Sequence, residues 1–269
     1  MHILKILEQT KCVVIITDIG NASTSLISSF FKTFFDLVKP SMNKDIEHLM
    51  TSILSHIIDE SESVPVEVIE IILSQFMRKQ PPKEKKKDQT DITSLTGIGG
   101  YPAAYTMAKG LCQDCADHLS RDVCAYFSDI LLPDNTDEDI NLEDLEKAHY
   151  LVNELYLASP HILSNTIPLL EAELQIENTN VRSLATECVG RMAGARVSSA
   201  NFSITYASCW HAWLNRRNDR DSKVRVKWIE ALPDILANNP DVVADLSGSF
   251  PSDCISDVRK IERIDLCSR

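Results

Sequence analysis

The sequence runs to 269 residues, 44% of them hydrophobic and 25% charged, with a formal net charge of −12. A chain of that length and balance is globular and can bury roughly 70–75% of its unfolded surface; its negative charge argues against a protein that coats DNA, itself a polyanion. Eight glycines are too few for a turn-rich all-β fold, and no run of about 18 apolar residues is present to span a bilayer.

An apolar helix is expected over residues 3–19, ending in "CVVIITDI". Acidic and polar residues interrupt it and no small-residue cleavage site follows, so no signal peptide is expected there. Asn21 or Ser23 can cap a second helix over 24–39, with Leu26, Phe30, Phe34 and Leu37 on one face and Pro40 as its stop. Ser41 or Asn43 caps a third, with Ile46, Leu49, Met50, Ile53, Leu54 and Ile57 at helical spacing. After the acidic break "DESES", Pro65 sits in the first turn of a fourth helix, whose apolar face is Val68, Ile69, Ile72, Leu73 and Phe76.

Residues 78–100, "RKQPPKEKKKDQTDITSLTGIGG", lack a sustained apolar stripe and are expected to form an exposed, mobile loop. Its GxGG has neither the preceding strand nor the full spacing of a dinucleotide site. "KEKKK" fits a localisation signal or simply a solvated segment. Helical pattern resumes at Pro102 and runs to Leu132, long for one globular helix, with Met107, Leu111, Cys115, Leu119, Tyr126, Phe127 and Ile130 on its buried side. An acidic loop leads to a helix bearing Leu142, Leu145, Ala148, Leu151, Val152 and Leu155.

The second half repeats itself. "NTNVRSLATECVGRM" (178–192) and "DSKVRVKWIEALPDI" (221–235) stand 43 residues apart, placing Val181 on Val224, Arg182 on Arg225 and Glu187 on Glu230. Helices over about 160–176 and 203–217 precede them, so each unit is a helical hairpin of about forty residues. That period marks HEAT or armadillo arrays, because a single hairpin cannot bury its own apolar faces and must stack on a neighbour. The expected fold is all-α, a HEAT-repeat helical solenoid (an armadillo-like α-α superhelix), over residues 1–246. Stacking alone explains the Val–Arg pairs: the valines point inward, and Arg182 and Arg225 reach an acidic or carbonyl partner in a neighbouring turn.

Candidate chemistry is sparse. Cys112 and Cys115 form a CxxC with His118 and Cys124 nearby, and zinc would want such ligands. All four fall in one predicted helix with no second pair at finger spacing, which favours buried, reduced thiols. No HExxH, GxSxG or P-loop occurs. No catalytic, cofactor-binding or metal site is therefore expected, and an enzyme is not. The acids of 137–146 suit a helix N-terminus. Arg216, Arg217, Arg220, Lys223, Arg225 and Lys227 cluster about one turn, diluted by Asp219 and Asp221. They form either a basic patch for an acidic peptide, a phosphate-rich ligand or a DNA backbone, or a set of solvated and inter-repeat pairs.

"CVVIITDI", "LVKPSMNKDIEHLMTSILSHIIDESESVPVEVIEIILSQF", "AYTMAKGLCQDCADHLSRDVCAYFSDIL" and "LYLASPHILSNTIPLLEAELQIENTNVRSLATECVGRM" resemble the precocious-dissociation-of-sisters family, with fungal-like wording, over roughly residues 3–246. The resemblance implies a non-catalytic cohesin accessory scaffold in the nucleus, on chromosomes. It would bind the kleisin subunit and work with the cohesin release factor and the cohesion acetyltransferase, so as to maintain cohesion and permit ring release. The family's N-terminal half is where a kleisin segment docks, which makes Lys11, Val14 and Asp18 the candidate contacts; core packing is the rival role for Val14. Two features depart from the family pattern. The Ala-Pro-type peptide-receiving motif is missing, and the family's members are far longer. The tail 247–269 breaks the repeat grammar and is expected to be disordered or a gene-model artefact. The alternatives are another HEAT adaptor, such as a transport receptor or phosphatase scaffold, or direct nucleic-acid binding through the basic patch.

Overall fold

The computed structural model describes residues 24–38, 43–61, 63–77, 103–131, 141–197 and 201–247. Among them every regular element is helical and no strand occurs. The expected helix over 3–19, the expected loop over 78–100 and residues 248–269 of the tail lie outside the described residues. The chain divides into two compact units, Met1–Leu169 and Leu170–Arg269.

The first unit is built from α1 (Thr24–Leu37), α2 (Lys44–Asp59), α3 (Val66–Met77), α4 (Ala103–Asp114), α5 (Ala116–Leu131) and α6 (Leu142–Ala158), followed by a 3-10 turn at Pro160–Leu163. Helix α3, "VEVIEIILSQFM", is apolar on most sides, and such a helix has to be surrounded. It touches α1, α4, α5 and α6. Val68, Ile69, Ile72, Leu73 and Phe76 are all buried, each contributing about 1.5–3 kcal/mol relative to exposure. Gln75 is buried there too, and its amide donates to the Ile71 carbonyl at 3.0 Å and to Ser74 Oγ at 2.9 Å. Asn43 is the cap of α2, its Oδ1 accepting from Asp45 N at 3.0 Å, and Asn141 caps α6 by accepting from Glu143 N at 3.2 Å. Glu143 and Asp144 then lie in the first turn of α6, where a helix favours negative charge.

Before Thr179, three expectations change in detail. The buried stripe of α1 is Ile27, Phe31, Phe34 and Phe35, while Leu26 and Leu37 are exposed. The run "LISSFFKTFF" carries two overlapping apolar stripes, and spacing alone does not choose between them. The long helix over 102–132 bends at Cys115 into α4 and α5. The backbone bonds continue through the bend, Cys115 N donating to Leu111 O and Leu119 N to Cys115 O. The helix expected over 160–176 is a 3-10 turn and then a short α7 (Ile167–Glu173). Pro168 has no N–H to donate four residues back, and it sits in the first turn of α7, where no such bond is required.

The second unit holds α8 (Thr179–Ala193), α9 (Phe202–Thr205), α10 (Ala207–Asn215), a 3-10 turn at Arg216–Asn218, α11 (Ser222–Asn238), a 3-10 turn at Pro240–Val242 and α12 (Val243–Ser247). Asn178 and Asp221, 43 residues apart, are both N-caps. Asn178 Oδ1 accepts from Asn180 N and Val181 N, and Asp221 Oδ1 accepts from Lys223 N at 2.8 Å. The helix expected over 203–217 is interrupted at Tyr206, whose φ of −122° and ψ of 51° are not helical. Helices α8 and α11 pack along each other. All three tryptophans of the chain line this core. Trp210 stacks on Trp213 at 5.2 Å between ring centroids and Trp213 on Trp228 at 5.3 Å. The indole N–H of Trp213 donates to Thr186 O at 2.9 Å.

Gly190 permits the close approach of α8 and α11. A Cβ there would stand 2.6 Å from Ala231 Cβ and 3.4 Å from Trp213 Cζ2, nearer than carbon atoms tolerate. Gly190→Ala is expected to destabilise the chain by roughly 1–3 kcal/mol, as overpacking does. Adding Ala231→Gly to it should restore much of that loss in a urea melt; a double variant no more stable than Gly190→Ala would show that the contact is not the cause.

Candidate functional site

The densest polar arrangement in the second unit is centred on Arg182, in the first turn of α8 and 3% exposed. Its guanidinium is satisfied on two sides. Nη1 donates to the carbonyls of Ile176 and Glu177 at 2.8 and 2.6 Å, in the turn just before its own helix. Nε and Nη2 donate to Asp219 Oδ2 and Oδ1, each at 3.1 Å, a bidentate fork to the turn of the following hairpin. Asp219 also accepts from Arg216 Nη1 at 3.0 Å and from the Asp221 backbone N–H at 3.0 Å. Burial alone would push the Asp219 carboxyl up. The Arg182 and Asp221 hydrogen bonds and the charges of Arg182 and Arg216 outweigh it and hold the group below its usual range.

Arg225 repeats half of this pattern. Its Nη1 donates to Asp219 O at 2.7 Å and to Arg220 O at 3.2 Å, six and five residues back, as Arg182 does. Val181 and Val224, each beside its arginine, are 2% and 0% exposed. The two arginines are thus turn clamps, and Arg182 is in addition a tie to the next hairpin.

Two of the remaining members of the basic cluster are occupied by acids. Arg220 pairs with Glu177. Lys227 Nζ lies between Glu187 Oε2 at 3.0 Å and Glu230 Oε2 at 3.2 Å. Lys223 is exposed. Arg217 keeps Nε and Nη1 buried without an acceptor among the described residues. A cleft of about 280 Å³ opens beside this turn, and Arg182, Arg216, Arg220, Glu177 and Asp219 are among the residues that line it. The charge that a polyanion could use is therefore smaller than the run of basic residues suggests.

In the first unit, Cys112 and Cys115 are free thiols, 0% and 2% exposed. Burial pushes both up, Cys115 to about 12 and Cys112 further still. Such thiols are protonated at neutral pH and poorly nucleophilic. Cys115 Sγ faces Ser55 O at 3.7 Å, and Cys124 Sγ faces Asn165 O at 3.1 Å. His118 instead lies 3.9 Å from Asp59. Among the described residues no group of three or more His, Cys, Asp or Glu side chains could hold a metal ion, and no helix is long and apolar enough to cross a membrane.

Residues 1–267 match the family described as sister chromatid cohesion protein PDS5. The chain belongs to this family. It is 32% identical over 240 residues to the sister chromatid cohesion protein pds5 of Schizosaccharomyces pombe, covering 88% of this chain and 19% of that protein. To the PDS5 protein of Saccharomyces cerevisiae it is 28% identical, covering 97% of this chain and 20% of that one. The chain thus spans about a fifth of the length of these relatives. A solved Pds5–Scc1 complex is similar at a TM-score of 0.68 and 26% identity, over 84% of this chain and 33% of the matched one. The fold class is accordingly that of PDS5, an all-α HEAT-repeat helical solenoid.

Of the residues singled out in the sequence, Arg216, Arg220 and Lys227 are brought to one turn region and paired. Lys11, Val14 and Asp18, the candidate kleisin contacts, lie outside the described residues. The residue that composition undervalued is Asp219, which looks like a diluent of positive charge but is the acceptor at its centre. Its signal was positional: it falls in the inter-helix turn 37 residues after Arg182.

Two outcomes are expected. Asp219→Asn leaves a buried arginine half-paired and should destabilise the chain by about 3–5 kcal/mol. Because the folded Asp219 lies below its unfolded value of 3.8, its contribution is fully present above that value. It is lost as pH falls through the folded pKa, so the gap between parent and variant should narrow at the acid end of a pH series of melts. Second, a thiol reagent at pH 8 should leave Cys112 and Cys115 unlabelled in the native chain and label them in denaturant; native labelling of Cys112 would contradict the packing described.

Proposed function

We propose that this chain is part of a cohesin-associated scaffold that binds the kleisin subunit and regulates the maintenance and release of sister-chromatid cohesion. It works without catalysis of its own, in the nucleus and on chromosomes. The observation that carries the reading is the likeness to the Pds5 chain of a Pds5–Scc1 complex, over 84% of this chain, together with the family match along residues 1–267. The physical arrangement is compatible with it. A helical repeat with satisfied turn clamps and buried, protonated thiols offers shape and surface, which is what an adaptor needs.

Within that reading, the release factor and the cohesion acetyltransferase are further partners, and Lys11, Val14 and Asp18 contribute to the kleisin contact. Affinity purification of the gene product from dividing cells is expected to recover the kleisin. Recovery of a phosphatase catalytic subunit or of nuclear-pore proteins in its place would favour another class of helical adaptor. Val14→Lys is expected to lower kleisin capture at least tenfold, a loss of about 1.4 kcal/mol in binding, with the melting temperature unchanged. Full capture by that variant would remove Val14 from the contact.

A further inference from the structure

The connection between α2 and α3 reads "DESESVP", residues 59–65. Its acids stand at the wrong end of the helix before them. Asp59 is the last residue of α2 and Glu60 its C-cap, both exposed, where the helix carbonyls already carry partial negative charge. Asp59 has His118 at 3.9 Å. No ion pair among the described residues takes Glu60, and the sequence adds Glu62 two residues on.

The two serines of this segment differ in what holds them. Ser61 is 8% exposed, and its Oγ donates to Ile57 O at 2.6 Å. Ser63 is exposed, and its hydroxyl has no partner among the described residues. Next to it, the Val64 N–H donates to Asp122 Oδ2 on α5 at 3.1 Å. Ser61 is thus fixed to α2 and Val64 to α5, and Ser63 is held between these two anchors. It lines a cleft of about 200 Å³ with Ser61, Val64, Asp117, His118, Arg121 and Asp122. The last four share one side of α5, at i, i+1, i+4 and i+5. Arg121 is exposed, and among the described residues nothing accepts from its guanidinium, although Asp117 stands one turn before it. An open hydroxyl and an open guanidinium therefore line the same cleft.

We propose that Ser63 is a phosphorylation site, modified by an acid-directed serine kinase, and that its phosphate is received by Arg121 and His118. Ser63 Oγ attacks the γ-phosphorus of ATP, the bond from that phosphorus to the ADP oxygen breaks, and the hydroxyl proton passes to the kinase's base. Glu60 and Glu62, three residues and one residue before the acceptor, are the acids such a kinase reads. Ser61 is spared in the folded chain because its hydroxyl is buried and already bonded. The phosphate brings a charge of about −1.5 to −2 and three acceptor oxygens. Arg121 meets it with a planar pair of donors, and His118 adds a ring N–H. Asp117 and Asp122 oppose the added charge. Asp117 does so from an exposed position that solvent screens, and Asp122 with a carboxylate that already takes the Val64 N–H. Modification gives the α2–α3 connection a second tie to α5 beside the one at Val64. None of this depends on which partner the scaffold binds.

Incubation of the 269-residue chain with ATP and a serine kinase that requires an acid three residues before its acceptor should place one phosphate on Ser63. Ser61 should carry none, and Ser63→Ala should take up none. Modification of Ser61 in preference, or of neither serine, overturns the assignment of the acceptor. A chain with phosphoserine encoded at position 63 checks the receiving residues. By far-ultraviolet circular dichroism it should melt about 2–4 °C above the unmodified chain. Arg121→Gln, at an exposed site, should shift the unmodified chain by no more than about 1–2 °C and should abolish the rise; Arg121→Lys should retain part of it. Phosphorus NMR gives a readout that does not depend on melting. The phosphoserine should titrate below its ordinary value of about 6 in the parent and return towards it in Arg121→Gln. A melting temperature that falls on modification, or a titration indifferent to Arg121→Gln, would mean that the carboxylates repel the phosphate from the cleft and overturns the proposal.

Discussion

A guanidinium taken out of water has to have its donors met, and the second unit is arranged around that requirement. Arg182 is 3% exposed and Asp219 7%, so neither can rely on solvent. The fork between them fixes two turns at once: the one before α8, through the Ile176 and Glu177 carbonyls, and the one before α11, through the carboxylate. With the turns set, the N-caps Asn178 and Asp221 start their helices in the same register, and α8 and α11 lie close enough to need a glycine at 190. Replacing this pair with apolar residues could be nearly neutral for stability; what it provides is register, since an apolar contact can slide along a helix and a bidentate ion pair cannot.

Much of this was legible in the sequence. The 3.6-residue spacing located α2, α3, α6, α8 and α11 and the run that divides into α4 and α5, and the Val–Arg repeat gave the hairpin period. What escaped followed from two physical ambiguities. Where apolar residues are dense, as in α1, several faces satisfy the same periodicity, and only the neighbouring helices decide which is buried. At Pro168 and Tyr206 the apolar pattern continues although the helix does not, whereas Pro233 is carried inside α11, and spacing alone does not tell these cases apart. The basic cluster stood between two readings for a different reason. Sequence lists charges in order along the chain, whereas Glu177 and Glu187 approach Arg220 and Lys227 from 40 or more residues away.

Function was legible in another way again. The repeat that fixes the architecture carries almost no functional information, because any stacked hairpin needs an inward valine and a clamped turn. The stretches that pointed to cohesin are the less regular ones around it, and the family match runs through them from residue 1 to 267. For a helical adaptor this division is expected: inward positions are constrained by stacking, and outward positions are left to partners.

The tryptophans have a practical consequence. The chain has three, and Trp210, Trp213 and Trp228 form one stack inside the second unit. Intrinsic tryptophan emission is therefore blind to the first unit, while far-ultraviolet circular dichroism reports on the helices of both. Melting curves recorded by the two signals on the same sample separate the units without any label. Coincident transitions would mean that the chain unfolds as one cooperative body, and an offset would measure how far the two units differ in stability.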